Sequence, residues 1–237
     1  MPAGKMSISV VVPVYNEREY ISAVIKRVLA TGMLDEIVIV DDFSRDGTRD
    51  VLKGMQAEWN EGVRLKLLMH DLNKGKGAAL RTGFSEVTGD IVIVQDADFE
   101  YDPNDYSKLI QPILDGKADV VYGSRFIGGE SHRVLFFWHM IGNKLLTFFS
   151  NMLTNLNLTD METGYKAFRA GVLKEIRLES DRFGFEPEIT AKVARKRCRI
   201  YETSISYAGR TYEEGKKINW KDGIAAFWHI FKFNLLR

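Results

Sequence analysis

Short apolar runs rich in β-branched residues recur through the first half of the chain, each followed by a longer stretch whose apolar positions return every three or four residues. This alternation predicts a parallel sheet with crossover helices. Strands are expected at 8–12, 36–40, 63–69, 90–94 and 119–122, and helices at 18–30, 46–59, 77–87 and 103–114. The run Ile-Val-Ile-Val occurs at both 37–40 and 91–94, and an unbroken apolar run of that length suits a strand covered on both faces.

The second half reads differently. From 133 to 158 the spacing is helical, with Leu135, Trp138, Ile141, Leu145, Phe149, Met152 and Leu156 on a wide apolar face. His139, Asn143, Thr147, Asn151 and Thr154 mark a narrower polar stripe on the same helix. Residues 223–237 repeat the idea, with Ile224, Phe227, Trp228, Phe231 and Leu235 on one side and Lys232 and Arg237 near the end. For both helices, packing into a core and lying at a membrane interface are open readings. Between them, 163–169 and 199–207 read as strands and 185–197 as a helix. With no Pro- or Ser-rich linker and no internal repeat, one compact domain with a C-terminal appendage is expected.

Several strands run straight into polar residues. Val12 leads into Pro13-Val14-Tyr15-Asn16-Glu17, Val40 into Asp41-Asp42, and Val94 into Gln95-Asp96-Ala97-Asp98. Ligands of open α/β sheets bind beyond the carboxyl ends of the strands, so these clusters are expected to converge on one crevice. Helix capping is the competing explanation, preferred for Asp46 ahead of Gly47-Thr48. Asp96 and Asp98, two carboxylates at i and i+2 after a strand, can face a divalent cation, and such hard oxygen ligands suit Mg²⁺ or Mn²⁺ shared with a diphosphate. Lys76 sits in a glycine-rich stretch that opens a helix, which is either an anion site or a solvated loop. Its spacing is not that of an ATPase P-loop.

Charge and composition remove other classes. With 33 Lys and Arg against 32 Asp and Glu, the net charge of +1 gives no broad field for a nucleic-acid backbone, so no nucleic-acid partner is expected. The single cysteine, Cys198, allows no intramolecular disulfide and no cysteine-rich zinc site. His70, His132, His139 and His229 lack metal-ligand spacing, and no GxGxxG follows the first strand, which argues against a dinucleotide oxidoreductase. No cationic leader or membrane-length apolar run is evident, so a cytoplasmic protein is expected.

Five motifs stand in a recognisable order: VVVPVYNE at 10–17, VDDFSRDGT at 40–48, NKGKGAALRTG at 73–83, DADFEYDP at 96–103 and YGSR at 122–125. In these the chain resembles the family 2 glycosyltransferases of GT-A fold. DMETGYKAFR at 160–169 and YAGRTYEEGKKINWKDG at 207–223 narrow the resemblance to the dolichyl-phosphate mannose and glucose synthase-like branch, which moves a sugar from a nucleotide donor to a polyprenyl phosphate.

The resemblance implies an α/β GT-A fold, a mostly parallel central sheet with helices on both faces, plus C-terminal amphipathic helices. The domain would span 1–222, with a nucleotide-binding half at 1–125, an acceptor-binding half at 126–222 and an amphipathic helix at 223–237. Pro13, Tyr15 and Glu17 would hold the nucleobase and ribose, Asp42 the base or ribose, and Lys76, Asp96 and Ala97 the rest of the nucleotide sugar. Asp96, Asp98 and Glu100 would be the metal set, with Asp98 the direct ligand and Glu100 standing where relatives often carry Gln. Arg210 with Lys216 or Lys217 would close over the diphosphate, while Arg125, Arg133 and Thr163 would meet the acceptor phosphate and Asp160 would orient that site. The expected partners are a UDP- or GDP-linked sugar, a polyprenyl phosphate and the inner face of a membrane, reached through the amphipathic helices or a membrane partner.

Mechanism would follow from the acceptor. A phosphate monoester, with a second pKa of about 6, is mostly a dianion at neutral pH and needs no catalytic base. Neither an ED pair nor a QxxRW motif, carried by many relatives that glycosylate hydroxyls, is evident. Two alternatives remain: transfer to a hydroxyl with Asp160 or Glu162 as base, and a non-catalytic module that binds a nucleotide sugar.

Overall fold

The structure, a computed structural model, describes residues 6–129, 133–134, 136–211, 213–214 and 220–236. Its centre is β1 (Ile8–Val14), with β2 (Glu36–Asp41) and then β3 (Arg64–Met69) added in parallel on one side and β4 (Ile91–Val94) in parallel on the other. Beyond β4 comes β6 (Lys166–Arg169), antiparallel to both β4 and β5 (Val120–Ser124), and β7 (Ile200–Ser204) closes the edge parallel to β5. The order β3-β2-β1-β4-β6-β5-β7 makes one seven-stranded sheet, mostly parallel as expected. Every residue of β1, β2, β4 and β5 is buried, which is why these strands are nearly unbroken apolar runs.

Alternate residues of β1 feed two cores. Val10, Val12 and Val14 pack with Ile21, Val24, Ile25 and Val28 of α1 (Ile21–Ala30), Leu52 of α2 (Thr48–Ala57), and Leu109 and Ile113 of α4 (Tyr106–Leu114). Val11 faces the other way, into a core with Leu80 of α3 (Lys76–Glu86), Leu173 of α6 (Ala170–Lys174), Ile189 and Val193 of α7 (Phe185–Arg195), and Ile230 of α8 (Trp220–Leu235). The short α6 follows β6 directly, and its five residues are too few to show a helical period of their own. Because Val14 pairs with Asp41 and Val11 with Val94, the polar strand ends lie side by side along one edge of the sheet.

The helix α5 (Phe137–Thr154) turns its polar stripe inward together with Leu146, Phe149 and Leu153, which pack against the second core, and leaves much of its apolar face outside. Thr147 and Ser150 are buried, whereas Trp138 is 78% exposed and Leu145, Phe148 and Met152 also point outward. The polar stripe serves the following loop: Thr147 Oγ1 accepts from the Met161 amide at 3.1 Å, and Asn151 bonds both the carbonyl and the amide of Leu158. In α8, Ala226, Ile230 and Phe233 are buried, while Phe227 and Phe231 meet the Phe149 ring of α5 and Ile224, Trp228 and Leu235 remain exposed. The two helices together carry an uncovered apolar surface. Among the described residues, no helix is long and apolar enough to cross a membrane.

Candidate active site

Three loops at the carboxyl ends of β1, β4 and β7 meet at the guanidinium of Arg210. It reaches Glu17 at 3.3 Å, makes a short ion pair with Asp98, and has its Nε 3.7 Å from Glu100. Glu17 is placed by its own backbone, whose carbonyl accepts from Tyr20 and Ile21 at the start of α1 while its amide donates to Thr48 Oγ1 at 3.0 Å. Glu100 accepts from the Arg210 amide at 2.9 Å and from the Tyr207 hydroxyl at 3.1 Å, so it is fastened to the segment that carries the arginine. Burial, with Asp96 and Glu100 close by, pushes the Asp98 carboxyl up to about 7. A carboxyl so crowded by its own sign favours a cation beside it.

Lys76 forms the second centre. Gly75, at φ +100°, turns the chain into α3 so close to residues 181–182 that a Cβ there would come within 2.5 Å of the Asp181 carbonyl. The ammonium that follows bonds Asp96 at 2.8 Å and Glu186, at the start of α7, at 3.5 Å. Burial alone would lower this lysine's pKa, but Asp96 and Glu186 outweigh burial and raise it. Glu186 is a partner that sequence reasoning did not single out; its only signal was an acidic residue opening a helix.

The third centre is a clamp between β5 and the loop after α5. Arg125 donates from Nε and Nη2 to the two oxygens of Asp160, at 2.6 and 2.7 Å, and its own amide adds a third bond at 3.1 Å. Asp160 is buried, and its amide is held by Glu202 at 3.1 Å. The Arg125 guanidinium also lies 5.2 Å from the Tyr207 ring centroid. A cavity of about 600 Å³ opens next to this clamp, lined by Arg27, Phe99, Glu100, Arg133 and Tyr207 among others.

Several expected contacts are placed elsewhere. Asp42 does not face the crevice as a ribose ligand: its two oxygens accept from His70 Nδ1, the Asn73 side chain and the amides of Lys74 and Gly75, at 2.6 to 2.9 Å. A carboxylate has about four acceptor positions, so Asp42 is fully used in anchoring the loop that carries Lys76. Pro13 is buried within β1 opposite Val40, and Ala97 packs in the first core. Thr163 is fully buried, with its hydroxyl accepting from the Tyr165 amide at 3.2 Å. Tyr15, just after β1, is 39% exposed. Arg133 stands apart from the clamp, paired with Glu214 at 2.7 Å and the Gly209 carbonyl at 3.2 Å. Lys216 and Lys217 lie outside the described residues.

The expected metal set is not gathered. Among the described residues, no three acidic, histidine or cysteine side chains form a cage, because Asp96 turns to Lys76 while Asp98 and Glu100 turn to Arg210. The donor chemistry nevertheless fits a hard divalent cation: Asp98 and Glu100 are both met by one cationic side chain, and Asp98 is crowded by Asp96 and Glu100.

A sequence model described as Glycosyl transferase family 2 matches residues 9–177. The chain is 28% identical over 96% of its length to the UDP-N-acetylglucosamine--dolichyl-phosphate N-acetylglucosaminyltransferase of Methanococcus voltae, covering 96% of that protein. It is 30% identical over 89% of its length to the undecaprenyl-phosphate mannosyltransferase of Micrococcus luteus, covering 87% of it. The structure is similar, with a TM-score of 0.73, to glucosyl-3-phosphoglycerate synthase from Mycobacterium tuberculosis, solved with Mn²⁺, uridine diphosphate and phosphoglyceric acid. At 19% identity, over 98% of this chain and 80% of that one, the likeness is one of fold.

Proposed function

The chain belongs to glycosyl transferase family 2, and from that premise we propose that it moves a hexose from a nucleotide diphosphate sugar to a polyprenyl phosphate at a membrane surface, with Mg²⁺ or Mn²⁺ at the strand-end carboxylates. The observation that carries the choice of acceptor is the state of the two carboxyls where a hydroxyl acceptor would need a base. Asp160 is spent in its paired bonds to Arg125, and burial, with Glu186 adding to it, pushes Glu162 up to about 8, so that it keeps its proton at neutral pH. A phosphate oxygen needs neither, since it attacks as an anion. The relatives named for dolichyl- and undecaprenyl-phosphate transfer support the same reading.

The chain's own residues then do three things. Tyr15 offers a ring face to a nucleobase at the end of β1. Asp98, with Asp96 or Glu100, would hold the cation, which when bound supplies positive charge against the departing diphosphate. Arg210, released from those carboxylates, and Lys76 stand on either side of that position and add fixed positive charge. Arg125, oriented by Asp160, presents its remaining N–H groups toward the acceptor phosphate, and Arg133 lines the neighbouring cavity. Catalysis on this reading is positioning plus electrostatics, with inversion at the anomeric carbon by direct attack.

The uncovered apolar surface of α5 and α8 supports docking on a bilayer, because a polyprenyl phosphate stays in the membrane and its transferase must come to it. The test is nucleoside diphosphate release from a panel of UDP- and GDP-sugars with Mn²⁺, with and without polyprenyl phosphate. Release that requires the lipid phosphate and falls at least a hundredfold in Asp98→Ala is expected. Release that ignores the lipid and falls in Asp160→Asn would replace this reading by transfer to a hydroxyl.

A further inference from the structure

Glu162 is a carboxyl of this crevice that is left with an unsatisfied oxygen. Its Oε1 is buried without a hydrogen-bond partner among the described residues. The neighbouring buried Lys166 acts on it through its charge, but its hydrogen bonds go to the carbonyls of Met161 and Thr163. An unpaired buried polar atom costs about 1–3 kcal/mol. Such an atom beside a binding crevice has the character of a ligand contact not yet made.

Its place along the chain is equally informative. Two residues before it, Asp160 clamps Arg125; two residues after it, Gly164 lies so close to the donor side that a Cβ would come 2.5 Å from Asp96 and 3.1 Å from Lys76. Besides the adjacent Lys166, the charged groups acting on Glu162 come from both directions, Glu186 on the Lys76 side and Arg125 with Asp160 on the acceptor side. Both flanks are pinned, by the Lys166 bonds to the backbone and by the Gly164 amide donating to the Tyr101 hydroxyl at 2.9 Å. The carboxyl is therefore held between the groups assigned to the leaving diphosphate and those assigned to the attacking phosphate. In a direct displacement the sugar ring must lie between the two.

We propose that Glu162 reads the transferred sugar, hydrogen-bonding one of its ring hydroxyls or an amide substituent and so discriminating among nucleotide sugars. The inference rests on the glycosyl-donor reading of the crevice but not on the identity of the acceptor. A neutral carboxyl suits the task, since it both donates and accepts, as each sugar hydroxyl does. Sites built to bond a hydroxyl reject analogues that lack it, because the buried partner is then left unpaired.

The experiment compares, by calorimetry with Mn²⁺ and no acceptor, the affinity for the preferred nucleotide sugar with that for the bare nucleoside diphosphate. Glu162→Ala is expected to lower the first about tenfold or more and to leave the second unchanged, while Glu162→Gln retains most of the sugar's contribution. One singly deoxygenated donor should bind wild type and Glu162→Ala alike. Equal loss for sugar nucleotide and bare diphosphate, or no loss at all in Glu162→Ala, overturns the proposal. A protein that binds no nucleotide sugar in any form overturns the donor reading itself, which the unchanged-diphosphate arm separates from a failure at Glu162.

Discussion

Single carboxylates in this crevice have opposite duties that their neighbours decide. Asp42 and Glu162 show the contrast: one accepts four hydrogen bonds and anchors a loop, the other has a buried oxygen with none. Sequence alone presents Asp42 as one of a strand-end acidic pair, and the two amides and two side chains that consume it come from a loop 30 residues away, so its structural use was not legible. That Asp98 lies in the crevice, by contrast, was legible from its position after a buried strand. The state of Glu162 has a consequence for stability. Its carboxyl shifts from an ordinary 4.5 to about 8 in the fold, chiefly through burial. Between those values the unfolded chain has lost the proton while the folded chain keeps it, so the folded state binds more protons and this residue makes stability fall as pH rises through that window. Glu162→Gln carries no such proton. Its melting temperature should exceed that of wild type by more at pH 8 than at pH 4.5, measured by thermal unfolding at both. A constant difference would show that the folded protein holds Glu162 ionised.

At the scale of elements, the strands and long helices of the first half were readable because burial on both faces writes continuous apolar runs and crossover helices write a 3.6-residue period. The antiparallel insertion of β6 was not, since four residues carry no sign of their neighbours in the sheet. The orientation of α5 was also hidden. Its period shows two faces but not which one turns inward, and here the polar stripe does so beside Leu146, Phe149 and Leu153, because the loop after it needs Thr147 and Asn151 as backbone partners. Trp138, Ile141, Leu145, Phe148 and Met152 are left outside, as are Ile224, Trp228 and Leu235 of α8, and Lys144 lies on the exposed side of α5. Burying one such side chain in an interface contributes about 1.5–3 kcal/mol. Replacing both Trp138 and Trp228 by Ser should therefore lower binding to anionic vesicles containing polyprenyl phosphate at least tenfold in a flotation assay. Because both indoles are more than half exposed, the melting temperature should hardly move. Unchanged vesicle binding with an unchanged melting point would remove the membrane from the reading of this surface.

Across the whole molecule, Arg210 is where distant parts of the chain are joined. Its guanidinium ties Glu17, after the first strand, and Asp98, after the fourth, to a segment that follows the last strand. The sequence assigned Arg210 to a diphosphate from its motif, and assigned Asp98 and Glu100 to a cation; that the arginine rests against those carboxylates follows only from the sheet bringing β1, β4 and β7 loops to one edge. The two assignments are compatible if the arginine and the cation exchange places, the side chain leaving the carboxylates as positive charge of another kind arrives and the diphosphate gives it a new partner. Removing a charge-assisted contact of about 1.5 kcal/mol corresponds to roughly tenfold in affinity. Arg210→Ala should thus bind Mn²⁺ about tenfold more tightly than wild type when no nucleotide is present, as read from free Mn²⁺ by electron paramagnetic resonance. With Mn²⁺ saturating, the same variant should bind nucleoside diphosphate more weakly, since the arginine that would have turned to the phosphates is gone. Opposite signs in the two measurements identify one side chain serving both states. Weaker Mn²⁺ binding in the variant would instead mean that Arg210 supports the carboxylates in the geometry the cation needs, and the exchange would be excluded.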